Sequence, residues 1–270
     1  MATKIKELYQ RDAPDPKLIS PSQFRITTPD DIPDTASALA MVARRLGLRL
    51  IVWHDLATLQ PMQHHACTAS IPHIFGWSEA ELTAWNDMDK ALHSPLLRAA
   101  RVASEPFWVN SQGIHTARQD RVLQQITVAD FADFAPGNAA IIVPVHMPFG
   151  QTGAAILTSR NLVRSNLASE MELAGNLLLP AIAQFISGYA AMCRDERYLP
   201  SPSVLTRREI QCLSWAAHGK TDYEISIILG CSHAGIRYHL SRACAKLGAV
   251  NRTQSVSRAC QLGYVNISMT

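Results

Sequence analysis

The chain has 270 residues, is 47% hydrophobic and carries a net charge of +3, with a mean hydropathy near zero; this excludes a disordered chain and predicts about two globular domains. No apolar run approaches the ~18 residues that a membrane span needs, and the opening MATKIKELYQRDAPDP lacks the apolar core of a signal peptide. The six cysteines (Cys67, Cys193, Cys212, Cys231, Cys244, Cys260) are scattered without a CxxC pair, which fits free thiols in a reducing compartment, so a cytoplasmic protein is expected.

Residues 1–34 hold Pro14, Pro16, Pro21, Pro29 and Pro33 with little periodic apolar content and read as an extended arm. Asp34 or Thr35 is positioned to cap a helix through Arg45, with Leu39, Val42, Ala43 and Leu46 on one face and Gly47 as its stop. Leu48–Trp53 (LRLIVW) reads as a buried strand and His64–Ser70 as a second. Helical segments follow around Ser78–Trp85 and Pro95–Ala103, then a strand at Pro106–Asn110. Thr116 is expected to cap a helix through about Phe134. Ala139–Met147, the turn PFGQ and Thr152–Ser159 predict a β-hairpin. A long helical stretch from Asn166 to about Arg194 should be kinked or split by Pro180. Residues 35–194 thus predict an α+β sandwich with a mostly antiparallel sheet. The run DERYLPSPS, 195–203, is the linker candidate.

Residues 204–270 predict an all-α module. From Ser201 on, eight basic residues face three acids, a charge of +5, which leaves −2 for the rest of the chain; the contact with a polyanion is therefore expected at this end. Thr206 with Glu209 forms a capping box ahead of Cys212, Leu213, Ala216 and Ala217, and Gly219 closes that helix. Thr221 or Asp222 starts a second helix with Ile225, Ile228 and Leu229 inside, ended by Gly230. After a three-residue turn, a third helix buries Ile236, Leu240, Ala243, Cys244 and Leu247 and shows Arg237, Tyr238, Ser241, Arg242 and Lys246 outward. Two helices joined by a tight turn, the second cationic outside, describe a helix-turn-helix sized for the DNA major groove. A fourth helix, Thr253–Leu262, offers Val256 and Ala259 as a stripe for pairing with a twin.

LTRRE, HGKTDYEISIILG, SHAGIRYHLSRACAKLG and NRTQSV together closely resemble the DNA-binding domain of the LuxR family of bacterial transcription regulators, in its quorum-sensing branch. The resemblance implies that Arg237 reads bases, with Ser241 and Arg242 a turn further along. It also implies that Lys220, Thr221, His233, Lys246 and Arg252 meet phosphate or position the domain. Gly235 departs from the family, which there favours threonine or another small residue.

A phosphorylatable receiver would need an acidic pair after its first strand and an aspartate ending its third, in a parallel βα pattern, and the sequence offers neither. The body instead resembles the family's autoinducer-binding domain, an α-β-α sandwich on a five-stranded sheet. SPLLRAARVASEPFWVN resembles its Asp-Pro step, helix and tryptophan-bearing strand, and AAIIVPV its Gly-x-x-x-Pro strand. The resemblance implies a pocket near Trp85, Ser94, Trp108, Glu81 and Ala139, and Trp53 is a further apolar candidate for its lining. Ser94 replaces the family's aspartate, and a neutral hydrogen bond is roughly half as strong as the charge-assisted one it would replace. The pocket tryptophan falls near Glu81, the tyrosine near Trp85, and a glycine becomes Ala139 or Ala140. The expected ligand is therefore a small apolar or aromatic molecule other than an ordinary acyl-homoserine lactone. The competing expectation is a ligand-independent regulator governed by dimerisation or by a protein partner.

His64, His65, Cys67 and His73 suggest zinc, but HHxC on an alternating strand lacks a second tight ligand pair, and no metal or cofactor is expected. No GxSxG turn or phosphate loop occurs, so an enzyme is not expected. The partners expected are a second copy of the chain, a two-fold symmetric DNA duplex and a small molecule, with no membrane.

Overall fold

A computed structural model describes residues 24–59, 62, 71–78, 81–83, 92–127, 130, 139–159, 161, 164–175, 178–193 and 205–266. The chain divides into two units, one ending at Cys193 and the other running from Arg194 on. The linker expected at 195–203, the strand expected at 64–70 and the pocket residue Trp85 lie outside the described residues.

The first unit is an antiparallel five-stranded sheet with helices on both faces. Its elements are α1 (Asp31–Arg45), β1 (Leu48–Trp53), the single turn α2 (Ile71–Ile74), α3 (Pro95–Val102), β2 (Phe107–Asn110), β3 (Gly113–His115), β4 (Ala140–His146), β5 (Thr152–Ser159), α4 (Ala168–Gly175) and α5 (Leu178–Cys193). The strand order is β1-β5-β4-β2-β3, and every pairing is antiparallel. The expected hairpin is β4–β5, with His146 opposite Thr152 and Ala140 opposite Thr158.

Registers decide which face each side chain takes, because strand side chains alternate. Trp108, Ile141, Leu157 and Leu50 form one row across the sheet, whereas Phe107, Ile142, Ile156 and Ile51 belong to the opposite face. Val145 and Gly153 share the parity of the first row, and a Cβ built on Gly153 would lie 2.6 Å from Ile186 Cγ2, so α5 covers that face. His146 has the other parity, and its Nε2 lies 2.8 Å from the carbonyl of Ala103 at the end of α3. α3 therefore covers the face of Phe107 and Trp53.

Three expectations need correction. The helix begins at Asp31, not Asp34, and Phe24, Ile26 and Ile32 are buried, so residues 24–34 belong to the body. Ile26 packs on α5 where Gly188 leaves room: an added Cβ there would sit 3.0 Å from Ile26 Cβ. The helix expected from Thr116 is absent over residues 116–127, which hold only a 3-10 turn at Leu123–Gln125. There Thr116 Oγ1 donates to the Arg118 carbonyl at 2.5 Å, and Asp120 accepts from the amides of Val122 and Leu123 at 2.8 and 3.2 Å; these local bonds compete with the helix ladder. A short strand, β3, was not expected. The expected split of the long C-terminal stretch is present: α4 ends at Gly175 and α5 starts at Leu178, with Pro180 in the first turn of α5, where a missing N–H costs nothing.

The second unit is all-α: α6 (Arg207–Ala217), α7 (Asp222–Leu229), α8 (His233–Lys246) and α9 (Arg252–Gln261). Each starts with a side-chain cap, from Thr206, Thr221, Ser232 and Asn251, and the first two caps are reciprocal capping boxes with Glu209 and Glu224. A cap contributes about 1 kcal/mol. Gly230, at φ 61°, supplies the left-handed stop that turns α7 towards α8. Cys212, Leu213, Ile225, Ile236, Leu240, Ala243, Leu247 and Ala259 close the core. Ile228, expected inside, is 43% exposed. Ala259 is fully buried in its own module and so is not available to pair with a twin. Among the described residues of both units, no single helix is long and apolar enough to cross a membrane.

Candidate nucleic-acid interface and body site

In α8 the residues Ile236, Leu240 and Ala243 point into the core, and His233, Arg237 and Ser241, spaced four apart, form a row along the flank of that face, where all three are exposed. Among the described residues, Arg237 has no ion-pair or hydrogen-bond partner. It stands at a groove of about 460 Å³ between α8 and the start of α9, also lined by Ser241, Cys244, Asn251 and Arg252. Arg242 is half exposed; its guanidinium lies 5.8 Å from the Tyr238 ring, and its Nε is 3.8 Å from Glu209 Oε1.

The other expected contacts are partly engaged within the chain. The Thr221 hydroxyl both donates to Glu224 Oε2 at 2.8 Å and accepts from the Glu224 amide, capping α7. Lys220 Nζ lies 3.6 Å from Glu224 Oε1. Hydrogen bonds from the Thr221 amide and hydroxyl hold the Glu224 carboxyl below the ordinary glutamate range. Arg252 is bonded to Asp222 and to the Lys220 carbonyl, tying α9 to the start of α7. Lys246 is committed inward: its side chain is 17% exposed and its Nζ donates to Glu209 Oε2 at 2.8 Å. Lys246, expected among the phosphate contacts, is thus paired within the chain with a near-fully buried carboxylate.

Glu209 was expected only as a capping residue. It is 2% exposed and accepts from the Thr206 amide at 2.6 Å as well as from Lys246. Burial alone would raise its carboxyl, but the hydrogen bonds from Lys246 and Thr206 outweigh that and hold it below the ordinary range. Nothing in the local sequence signals this second role, since Lys246 is 37 residues away.

Gly235, the departure in the recognition helix, is the third residue of α8, and its amide donates to the Ser232 cap at 3.1 Å. A Cβ there would come 3.2 Å from Ser232 Oγ, so the glycine leaves room for the cap as well as loosening the helix.

In the body, the residues expected to share one pocket separate onto two faces. Trp108 lies on the α5 face and stacks on His115, with ring centroids 3.8 Å apart and planes 11° off parallel. Burial pushes the His115 imidazole down, and its Nε2 lies 3.0 Å from Asn110 Oδ1. On the α3 face the strand presents Phe107, fully buried, beside Trp53, which is 1% exposed. Phe107, not Trp108, therefore shares a side with α3; an FW pair on a strand leaves its face ambiguous until the register is known. Ser94 occupies the N-cap position of α3, where its carbonyl accepts from the Arg98 amide at 3.0 Å and its side chain makes no cap bond. Ala139 is buried just ahead of β4. Glu81 is engaged elsewhere: it accepts from the Ser78 amide and hydroxyl at 2.9 and 2.8 Å and pairs with Arg49 at 3.0 Å, beside the edge strand β1. Those bonds, the Ser78 amide first, pull its carboxyl down to about 2. Glu81, expected at the pocket, thus locks the Ser78 turn and pairs with the edge strand. Arg49 in turn lies 4.0 Å over the Trp77 ring.

Residues 203–259 match the family described as bacterial regulatory proteins, luxR family. The chain is similar to the transcriptional activator protein VanR of Vibrio anguillarum, 34% identical over 129 residues that make up 48% of this chain and 52% of that protein. That match is longer than the stretch from Arg194 on, so it takes in part of the first unit. The transcriptional activator protein LuxR of Aliivibrio fischeri is 47% identical over 66 residues, 24% of this chain and 26% of that one. The chain thus spans about half, or less, of the length of the curated relatives it matches. Among solved structures, Escherichia coli SdiA is similar over 90% of this chain and 94% of that chain, at 18% identity and a TM-score of 0.44. The match to the luxR family of bacterial regulatory proteins thus falls on residues 203–259, the stretch that holds both capping boxes and the helix-turn-helix of the second unit.

Proposed function

We propose that the chain is a transcription regulator that binds duplex DNA sequence-specifically through α8, with Arg237 as the principal base reader. The observation that carries this reading is the exposed Arg237, without an ion-pair or hydrogen-bond partner among the described residues, on a helix anchored in the core through Ile236, Leu240 and Ala243. A guanidinium so placed can meet the O6 and N7 acceptors of guanine together. His233, Ser241 and Arg242 extend the same surface, and Lys220 and Thr221 border it at the start of α7. Two copies bound as a dimer would set two such helices about one DNA turn apart, on a two-fold symmetric site.

In this reading the body controls the module by taking a small apolar or aromatic ligand, other than an ordinary acyl-homoserine lactone, between the sheet and α3. Apolar side chains of Trp53, Phe107 and Ile142 on that face support it, as does a neutral serine at position 94. Trp85 and Ala139 belong to the same proposal. Native mass spectrometry of the full chain purified from its source tests it. A co-purifying neutral small molecule is expected. A bare chain that still binds its DNA site with full affinity overturns the ligand reading, in favour of control by dimerisation or by a protein partner.

A further inference from the structure

We propose that Glu209 is a positioning residue that keeps Lys246 off the DNA surface, so that the module neutralises one phosphate fewer than its cationic residues would allow. The idea rests on the DNA-binding reading above and adds a limit on sequence-independent affinity. Lys246 closes the last turn of α8, one turn beyond Arg242, on the helix that carries Arg237. A lysine at the end of a reading helix would ordinarily swing its ammonium to a phosphate. Here its side chain is 17% exposed, and its Nζ lies 2.8 Å from a carboxylate that is itself 2% exposed.

That carboxylate cannot follow the lysine outward, because its Oε2 also accepts from the Thr206 amide at 2.6 Å and thereby caps α6. The same group lies 3.8 Å from Arg242 Nε, which stays half exposed and so keeps its place at the surface. One buried charge thus anchors α6, holds the end of α8 against it, and sorts two neighbouring cations into an inward and an outward one. Fewer phosphate contacts weaken binding to every sequence alike while the base-reading contacts remain. Glu209 therefore favours discrimination at the expense of affinity.

The test is the salt dependence of binding to a duplex of random sequence, where log K falls with log salt by about 0.9 per phosphate neutralised. The full chain is titrated as wild type, Lys246→Gln, Glu209→Gln and the double variant. Glutamine at 209 retains the capping geometry. Lys246→Gln is expected to leave the wild-type slope unchanged. Glu209→Gln should steepen it by about 0.9, and the double variant should return it to the wild-type value. A slope that drops by about one on Lys246→Gln alone would mean that the lysine already meets phosphate, and the proposal falls. That single variant decides even where Glu209→Gln fails to fold. An unchanged slope in a folded Glu209→Gln protein overturns the proposal equally. A wild type that binds no duplex at low salt overturns the DNA-binding reading, and this proposal with it.

Discussion

Gly153→Ala is the sharpest test of how α5 sits on the sheet. Gly153 is the second residue of β5 and pairs with Val145. A Cβ at this position would lie 2.6 Å from Ile186 Cγ2, 2.8 Å from the Trp53 carbonyl oxygen and 3.2 Å from that of His54. Two of these three neighbours are backbone atoms. They are held by the β1–β5 ladder and by the Leu56 amide, which donates to the Thr152 carbonyl at 2.8 Å. The third belongs to a fully buried isoleucine. Overpacking of this kind costs about 1–3 kcal/mol, and the smaller conformational freedom of alanine in the unfolded chain offsets up to about 1 of that. A net loss of about 1–2 kcal/mol should lower the melting temperature of the body by roughly 2–8 °C for a unit of this size. Thermal unfolding followed by tryptophan fluorescence measures it. Gly175→Ala, where an added Cβ meets nothing within 4 Å, is the control and should be neutral or slightly stabilising. A Gly153→Ala protein that melts with the wild type would show that α5 does not press on β5 as described.

Ser94→Asp should leave the melting temperature within about 2 °C, because serine and aspartate cap helices about equally well. It should also create measurable binding of acyl-homoserine lactones by calorimetry if the missing acid alone excludes them. Continued indifference to a panel of chain lengths would mean that other walls of the site exclude them too. Acid should weaken the body, for Glu81 and Asp31 are both held at about 2, by hydrogen bonds led by the Ser78 amide and the Thr27 hydroxyl respectively. Since these carboxyls titrate lower folded than unfolded, their contribution is present above their ordinary values of 4.5 and 3.8 and is lost as pH falls towards 2. Melting curves at pH 6, 4 and 3 should show the decline, and Glu81→Gln should make it shallower; an equally steep decline in that variant contradicts the assignment. Arg258→Ala removes the guanidinium that donates to the Leu247 and Gly248 carbonyls at 2.6 and 2.5 Å. The loss should cost the second unit about 1–3 kcal/mol in denaturant titrations, as for a hydrogen bond to a charged group, and a variant as stable as wild type removes that role.

The second unit was the more legible because its instructions are local. Thr206 with Glu209, Thr221 with Glu224, and the glycines at 219, 230 and 248 each act within a few residues, so spacing alone delimits the helices. Strands β1, β4 and β5 were equally readable as continuous apolar runs. What escaped was whatever depends on partners far along the chain. The face taken by Trp108 follows from its pairing with Ile141, which no alternation within FWVN can supply. Lys246 reads as an outward cation until Glu209 is brought beside it. Phe24 and Ile26 sit in a proline-rich stretch yet join the core, Ile26 against the gap that Gly188 leaves on α5. Thr116 carries the right residue type for a helix cap, yet it turns its hydroxyl to a nearby carbonyl, a choice that propensity alone does not separate from a cap.

The central claim, that α8 reads duplex DNA through Arg237, is tested most directly by selecting sites from a random duplex library with the full chain. Gel-shift titration of Arg237→Ala against the selected site then completes the measurement. The expected result is an enriched site with two-fold symmetry and an affinity loss of about 1–3 kcal/mol, roughly 5- to 150-fold, with the preference relaxed at one base position of each half. A library that yields no enriched site, or an alanine variant that binds the selected site with unchanged affinity and preference, contradicts it.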